Sequence, residues 1–197
     1  MITIRQIERL WSGKSFARLA TELLANRPEA TPQLQIELER PVPLAAMMVV
    51  RLDELSQAHT PLSGRLVRML LAAQEADGGW SDPLTTALCL RALTCGGGNG
   101  VAIDRGLTYL AQLQKAEGIW PSVPIRRTDA DALVSAFILL QLGEQEAFRG
   151  TVRLDDAVTW FKRHHATLDD AARRLWEHAA IRCSPRRGRV LASPMWS

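Results

Sequence analysis

Apolar residues recur at three- and four-residue intervals along almost the whole chain, and no stretch shows the period of two that a half-buried strand requires. The pattern predicts an all-α protein. Ile4, Ile7, Leu10 and Trp11 fall on one face of a first short helix, and Phe16, Leu19, Leu23 and Leu24 mark a second that Pro28 ends. Pro32, Pro41 and Pro43 break the following connector, which has room for one helical turn over 34–38. Beyond it the spacing predicts helices over 44–55, 62–76, 82–93, 103–115, 128–142, 154–165 and 167–181.

These helices pair up because the sequence repeats. Residues 105–120 answer residues 65–80 without a gap, aligning Arg65 with Arg105, Leu70 with Leu110, Gln74 with Gln114, Ala76 with Ala116, Gly78 with Gly118 and Trp80 with Trp120. A period near forty residues fits one helical hairpin, the unit of solenoids and helical toroids. Asp77-Gly78-Gly79-Trp80 supplies glycines able to take positive φ at a helix end, and Ser81-Asp82-Pro83 offers a cap and a first-turn proline for the next helix. The run from Gly96 to Gly100 separates two hairpins, and Asp104 favours the N-terminus of the helix behind it. That run is no phosphate loop, because it lacks the GxxxxGK[ST] pattern and a preceding strand.

Residues 86–93 and 135–142 read as the same inner helix at an offset of forty-nine. The second copy therefore carries nine inserted residues within 121–131, and an inserted loop is where a repeat protein often places function. A third, degraded copy begins at Leu154, where residues 154–161 resemble 103–110 and Trp160 corresponds to Tyr109.

Composition adds limits rather than chemistry. A chain of 197 residues with 47% hydrophobic content fits one helical domain: an irregular cap over 1–43, the hairpin region over 44–181 and a basic tail over 182–197. The net charge is only +3, and the tail's Arg182, Arg186, Arg187 and Arg189, interrupted by proline and glycine, read as solvated and flexible. Nothing in this pattern predicts specific nucleic-acid recognition. Charges near the start disfavour a secretory segment, and no window approaches eighteen apolar residues. Cys89, Cys95 and Cys183 make neither a CxxC pair nor an even disulfide set, so a cytoplasmic location is expected. Cys89, within Leu-Cys-Leu, reads as a small buried apolar residue.

The segment 105–120 resembles the QW motif of squalene, hopene and other terpenoid cyclases: a basic and a small residue, an aromatic followed by Leu, then Gln, then Gly-x-Trp. The copy ending at Trp80 departs from it at Leu66 and Met69. Related hairpins build the α/α toroids of protein prenyltransferase β subunits. The resemblance implies that Gln74, Gly78, Trp80, Gln114, Gly118 and Trp120 are structural staples between hairpins, in line with the need of a buried indole or amide for a partner.

The same resemblance singles out Asp129-Ala130-Asp131, since class II cyclases protonate an alkene with the middle acid of a DxDDTA motif. Direct overlay makes Asp131 the proton donor, with Ala132 and Leu133 replacing the following Asp and Thr. Aligning instead on Ser135-Ala136 puts Leu133 there and leaves both aspartates to cap the helix or line a polar mouth. Asp155-Asp156 and Asp169-Asp170 do not continue as DDxxD and read as helix starts. His164, His165 and His178, with Asp169 and Glu177, lack metal-site spacing, and no hydrolase constellation is present. Neither a metal nor another cofactor is expected.

Closed toroids of this kind need more hairpins than the two clear copies and one degraded copy present here. The expected fold is all-α, with helical hairpins forming a partial toroid or capped arc. Its concave face, with Asp129, Asp131, Phe137 and Trp176 as candidate binding residues, is the expected surface for a protein partner, a second copy or an apolar isoprenoid-type ligand. Three functional readings follow: a noncatalytic binding module, a cyclase or prenyltransferase active only after assembly through Asp131, and a structural scaffold.

Overall fold

The computed structural model describes residues 41–125 and 127–184. Among them the chain forms α1 (Pro41–Glu54), α2 (Pro61–Ala72), α3 (Pro83–Cys95), α4 (Gly100–Leu113), α5 (Ala132–Leu142), α6 (Glu146–Thr151), α7 (Leu154–His164) and α8 (Asp170–Cys183), with a 3-10 turn over His165–Thr167. The protein is all-helical over these residues, as the hydrophobic spacing requires. The helices expected around Ile4 to Leu24, the connector before Pro41, and Arg186, Arg187 and Arg189 lie outside the described residues.

Most helices start where a side-chain oxygen can satisfy an amide of the first turn, which has no partner inside the helix. Thr60 accepts from the Ser63 amide at 3.3 Å, Asp82 from Thr85 at 2.8 Å, Asn99 from Val101 at 2.8 Å, Asp131 from Val134 at 3.0 Å and Asp169 from Ala172 at 2.8 Å. Pro61 and Pro83 occupy first-turn positions, where a missing N–H costs nothing. Of the two caps offered before Pro83, Asp82 is used, while Ser81 takes a positive φ of 64°. Asn99 rather than Asp104 starts α4, so that helix begins earlier than the apolar spacing suggests.

The helices form an inner and an outer layer. In the inner row α1 packs on α3, α3 on α5 and α5 on α8; α2 lies across α1 and α3, α4 against α3, and α7 against α8. The burial pattern follows from this. In α3 only Arg91, Thr94 and Cys95 escape burial, and in α5 only Ala132 does, as befits helices that are apolar all round. The outer helices keep a polar face: α7 buries Ala157 and Phe161 and exposes Asp155, Asp156, Lys162 and Arg163.

Two departures from the predicted boundaries have local causes. The helix expected from 128 starts at Ala132, because Pro121 and Ala130 pair as an antiparallel bridge and the Asp131 amide donates to the Trp120 carbonyl at 2.8 Å, closing the inserted loop on itself. Helix α6 has too few residues to show a period; Phe148, fully buried, anchors it. Arg149 fixes its other side, donating to the carbonyls of Gly143 at 2.7 Å and Arg182 at 2.6 Å.

Candidate functional site

The two turns that the repeat predicts are built alike. In the first, Gln74 Nε2 donates to the carbonyls of Gly78 at 2.9 Å and Ala102 at 2.8 Å. In the second, Gln114 Nε2 donates to Gly118 at 2.7 Å and Arg153 at 3.1 Å. Each amide thus closes its own turn and grips the start of the next outer helix. The indoles do the complementary work, Trp80 Nε1 donating to Leu70 O at 2.7 Å and Trp120 Nε1 to Leu110 O at 2.8 Å. Both rings are essentially inaccessible to solvent. Their backbone amides are taken by the inner helix that follows: Trp80 N–H by Thr86 Oγ1 at 2.9 Å, Trp120 N–H by Ser135 Oγ at 2.8 Å.

Glycine is required where the turn meets the next hairpin. Gly78 and Gly118 take φ of 95° and 88°, and a Cβ on Gly78 would sit 2.6 Å from the Arg105 carbonyl oxygen; on Gly118 it would strike the Ala157 amide and Asp156. The first of these contacts falls on residue 105 and the second on 156, an offset of fifty-one. The same offset relates Ala102 to Arg153 as glutamine partners, so the degraded third copy retains the backbone docking of the second.

Arginines close both turns from the neighbouring hairpin, a feature that the motif reading missed. Arg105 donates to the carbonyls of Glu75 and Ala76, each at 3.0 Å, and Arg153 to those of Gln114, at 3.2 Å, and Lys115. A guanidinium at a helix C-terminus satisfies carbonyls that have no partner within the helix. The two arginines are not sequence equivalents. Position 156, where the repeat would place the counterpart of Arg105, holds an aspartate.

The residues predicted to bind or react fall in distinct settings. Asp129 is exposed in the inserted loop. Asp131 is partly buried and caps α5, with its carbonyl accepting from Ser135 Oγ at 2.6 Å. Asp82, almost fully buried, does the same for α3 and also accepts from Thr85 Oγ1 at 2.7 Å. Asp82 and Asp131 therefore hold corresponding positions, forty-nine residues apart, and Leu84 corresponds to Leu133. Phe137 is buried and lies about 200° round α5 from Ser135, which faces the turn, so it belongs to the inner side. Trp176 on α8 stacks on Phe161 of α7, centroids 4.6 Å apart and planes 11° from parallel, so its ring is engaged with the outer layer.

Burial also sets the chemistry of the thiols. It raises the pKa of Cys89 far above that of an ordinary thiol, an effect to which nearby Asp82 adds, and it pushes Cys95 and Cys183 up to about 11. All three are unbridged and held as neutral thiols near neutral pH. Among the described residues no group of three His, Cys, Asp or Glu side chains is placed to hold a metal ion, and no helix is long and apolar enough to cross a membrane.

Over 101 residues the chain is 33% identical to the drimenyl diphosphate synthase of Streptantibioticus cattleyicolor, a match that covers 45% of this chain and 19% of that enzyme. The chain thus spans under a fifth of the length of this curated relative. The match agrees with the resemblance to terpenoid cyclases carried by residues 105–120. No family model matches the chain, and no solved structure matches it.

Proposed function

We propose that this chain is a noncatalytic hairpin-repeat module of the terpenoid-cyclase type, forming a partial arc whose inner layer takes an apolar isoprenoid-type ligand or a protein partner. The observation that carries this reading is the equivalence of Asp131 and Asp82. The carboxylate nearest to a cyclase proton donor is used as a helix cap, and the preceding hairpin uses its aspartate in the same way with no such motif around it. The inner side of α3 and α5 offers Leu84, Leu88, Leu133, Phe137 and Leu140, all apolar. These residues are buried, so a ligand reaches them only by exchanging apolar surface as the inner layer opens.

Calorimetry and native mass spectrometry with farnesyl diphosphate, geranylgeranyl diphosphate and squalene test the proposal on wild type and Asp131→Ala. Saturable binding that the substitution leaves unchanged, with faster amide exchange in α3 and α5, supports an apolar inner-layer site. Binding of none of the three removes the isoprenoid ligand and leaves a protein partner.

A second reading, cyclisation by an assembled form, rests on Asp129 and Asp131 at the head of α5 and on the match to a drimenyl diphosphate synthase. Its signature is product formation by a dimer or a mixed assembly. Asp131→Asn keeps an oxygen acceptor for the cap but removes the acid, so it abolishes turnover while leaving the fold intact.

A further inference from the structure

Helices α3 and α5 are covered on a side that no described helix reaches. Leu84 and Leu88 stand two residues before and after Thr86, and Leu133 and Phe137 two residues before and after Ser135, the hydroxyls that accept from the Trp80 and Trp120 amides. Two residues turn a helix by about 200°, so these four side chains point away from the turns and the outer layer. Leu140, five residues after Ser135, shares their side at about 140°. None of the five is more than 7% exposed. The helices packed on α3 are α1, α2, α4 and α5, and those on α5 are α3 and α8, each a flanking or outer neighbour. The inserted loop does not supply the cover, because Ile125 is 57% exposed and Val123 only half-buried. At α8 the cover ends: His178 and Ile181 stand two and five residues after Trp176, whose ring meets α7, and both are exposed, Ile181 by 74%. Burial of this kind within a single chain comes from one of its two ends, 1–40 or 185–197, which lie outside the described residues.

We propose that the chain's own N-terminal segment, residues 1–40, docks on the inner face of α3 and α5 and occupies the concave surface of the arc. Its composition fits that face. Ile4, Ile7, Leu10 and Trp11 make one apolar stripe, and Phe16, Leu19, Leu23 and Leu24 a second. The other end offers only Val190, Leu191, Met195 and Trp196, alongside Arg186, Arg187 and Arg189, charges that a face of leucine and phenylalanine cannot pair. The path fits as well. Because the outer helices return the chain, α1, α3 and α5 start at the same end of the inner row, and the segment joins α1 there at Pro41, level with Leu84 and Leu133. Packed helix axes lie about 8–10 Å apart, so α5 is about 20 Å across the row from α1. Residues 25–40 can span about 50 Å when extended, enough to lay both stripes across α3 and α5. The C-terminal end leaves α8 at the opposite end of the row and would have to cross the exposed Ile181 before reaching Leu133. On the reading of this face as the ligand site, a ligand enters only where the segment has lifted, and its apparent affinity falls by the fraction of chains in that state.

Isotope-edited NOE spectroscopy of the full wild-type chain tests the docking directly. Cross-peaks from the Trp11 indole and the Phe16 ring to the methyls of Leu84, Leu88, Leu133 and Leu140 are expected. Their absence, or cross-peaks from Trp196 in their place, would overturn the proposal. In the full chain, Leu10→Asp should speed amide exchange in α3 and α5 by about tenfold or more and leave α4 and α7 as they are, because a charge on the docked stripe releases the cover without touching the outer layer. Val190→Asp should change neither. Equal effects of the two substitutions, or no effect of Leu10→Asp, would overturn it as well. If Leu10→Asp does not fold, the wild-type cross-peaks decide. Farnesyl diphosphate and squalene separate the docking from the ligand reading. Cross-peaks that fade as either ligand saturates support both, whereas cross-peaks that persist with neither ligand bound support the docking and remove the ligand.

Discussion

Gln114 and Arg153 hold each other reciprocally: the glutamine Nε2 donates to the Arg153 carbonyl at 3.1 Å, and the Arg153 amide donates to Gln114 Oε1 at 2.9 Å. The arginine side chain returns to the Gln114 carbonyl at 3.2 Å. One side chain therefore satisfies both backbone groups at the start of α7, and the joint between the second hairpin and the degraded third depends on it. Gln114→Leu keeps the volume and removes the glutamine side chain's bonds to Arg153 and to the Gly118 carbonyl, while the arginine's bond to the backbone carbonyl of residue 114 can remain. Leaving the Arg153 amide and the Gly118 carbonyl without these partners should cost about 2–3 kcal/mol in urea unfolding. Gln74→Leu, at a partly exposed position, should cost about half as much.

Trp80 and Trp120 separate packing from hydrogen bonding. Substituting either by Phe retains most of the buried ring but removes the indole's bond to the Leu70 or Leu110 carbonyl, which keeps only its backbone donor from Ala73 or Gln114, with an expected loss of about 1 kcal/mol. Trp120→Ala, which also removes the stacking on Phe148 at 6.1 Å, should lose about 4 kcal/mol. Equal costs for Phe and Ala at position 120 would show that the indole N–H, and not the ring, carries the staple.

How much of this was legible in the sequence can be judged residue by residue. The forty-residue repeat located Gln74, Trp80, Gln114 and Trp120, because an indole and an amide that must be buried need fixed partners and so recur at fixed spacing. The offset of forty-nine placed Thr86 and Ser135 on equivalent turns of the inner helices, and both hydroxyls accept from the tryptophan amide before them. The clamps by Arg105 and Arg153 were not legible, since they arise from different positions of the repeat and a motif read in register passes over them. Trp176 was expected on the concave side from helix order alone; its stacking on Phe161 depends on rotation about α8, which a loosely amphipathic sequence fixes poorly.

Positive φ and close approach make Gly78 and Gly118 intolerant, whereas Gly97, with φ of 69°, has open space around its α-carbon. Gly97→Ala should cost about 1 kcal/mol from backbone strain alone. Gly78→Ala and Gly118→Ala add a collision with backbone and should cost about 3 kcal/mol or more. Chemical denaturation of the three variants checks the order, and a Gly118→Ala as mild as Gly97→Ala would show that α7 is not docked against the turn.

Alkaline pH should destabilise the fold through the buried thiols. Cys183, only 7% exposed, has its pKa raised to about 11 by burial, so between pH 9 and 11 the folded chain keeps a proton that the unfolded chain has released. The stabilisation is complete below the unfolded thiol's pKa and is lost as pH rises towards the folded value. Each such thiol steepens the decline by up to about 1.4 kcal/mol per pH unit. Urea unfolding from pH 8 to 11 should therefore show a shallower slope in Cys183→Ala and in Cys89→Ala than in wild type.

Asp131 and Asp82 allow capping to be weighed against acid chemistry at the head of α5. Replacing a cap by Ala costs about 1 kcal/mol where the side chain is partly solvated, as at Asp131, and about 2 kcal/mol at Asp82, where Thr85 is bonded through both its amide and its hydroxyl. Asn retains an acceptor oxygen at either site, so Asp131→Asn and Asp82→Asn should recover most of that loss. If Asp131 only caps, its Asn variant matches wild type both in stability and in every ligand titration. An Asp131→Asn protein as stable as wild type but unable to turn over a substrate that the wild-type assembly converts would assign the carboxyl proton a chemical role, because a cap has no use for that proton.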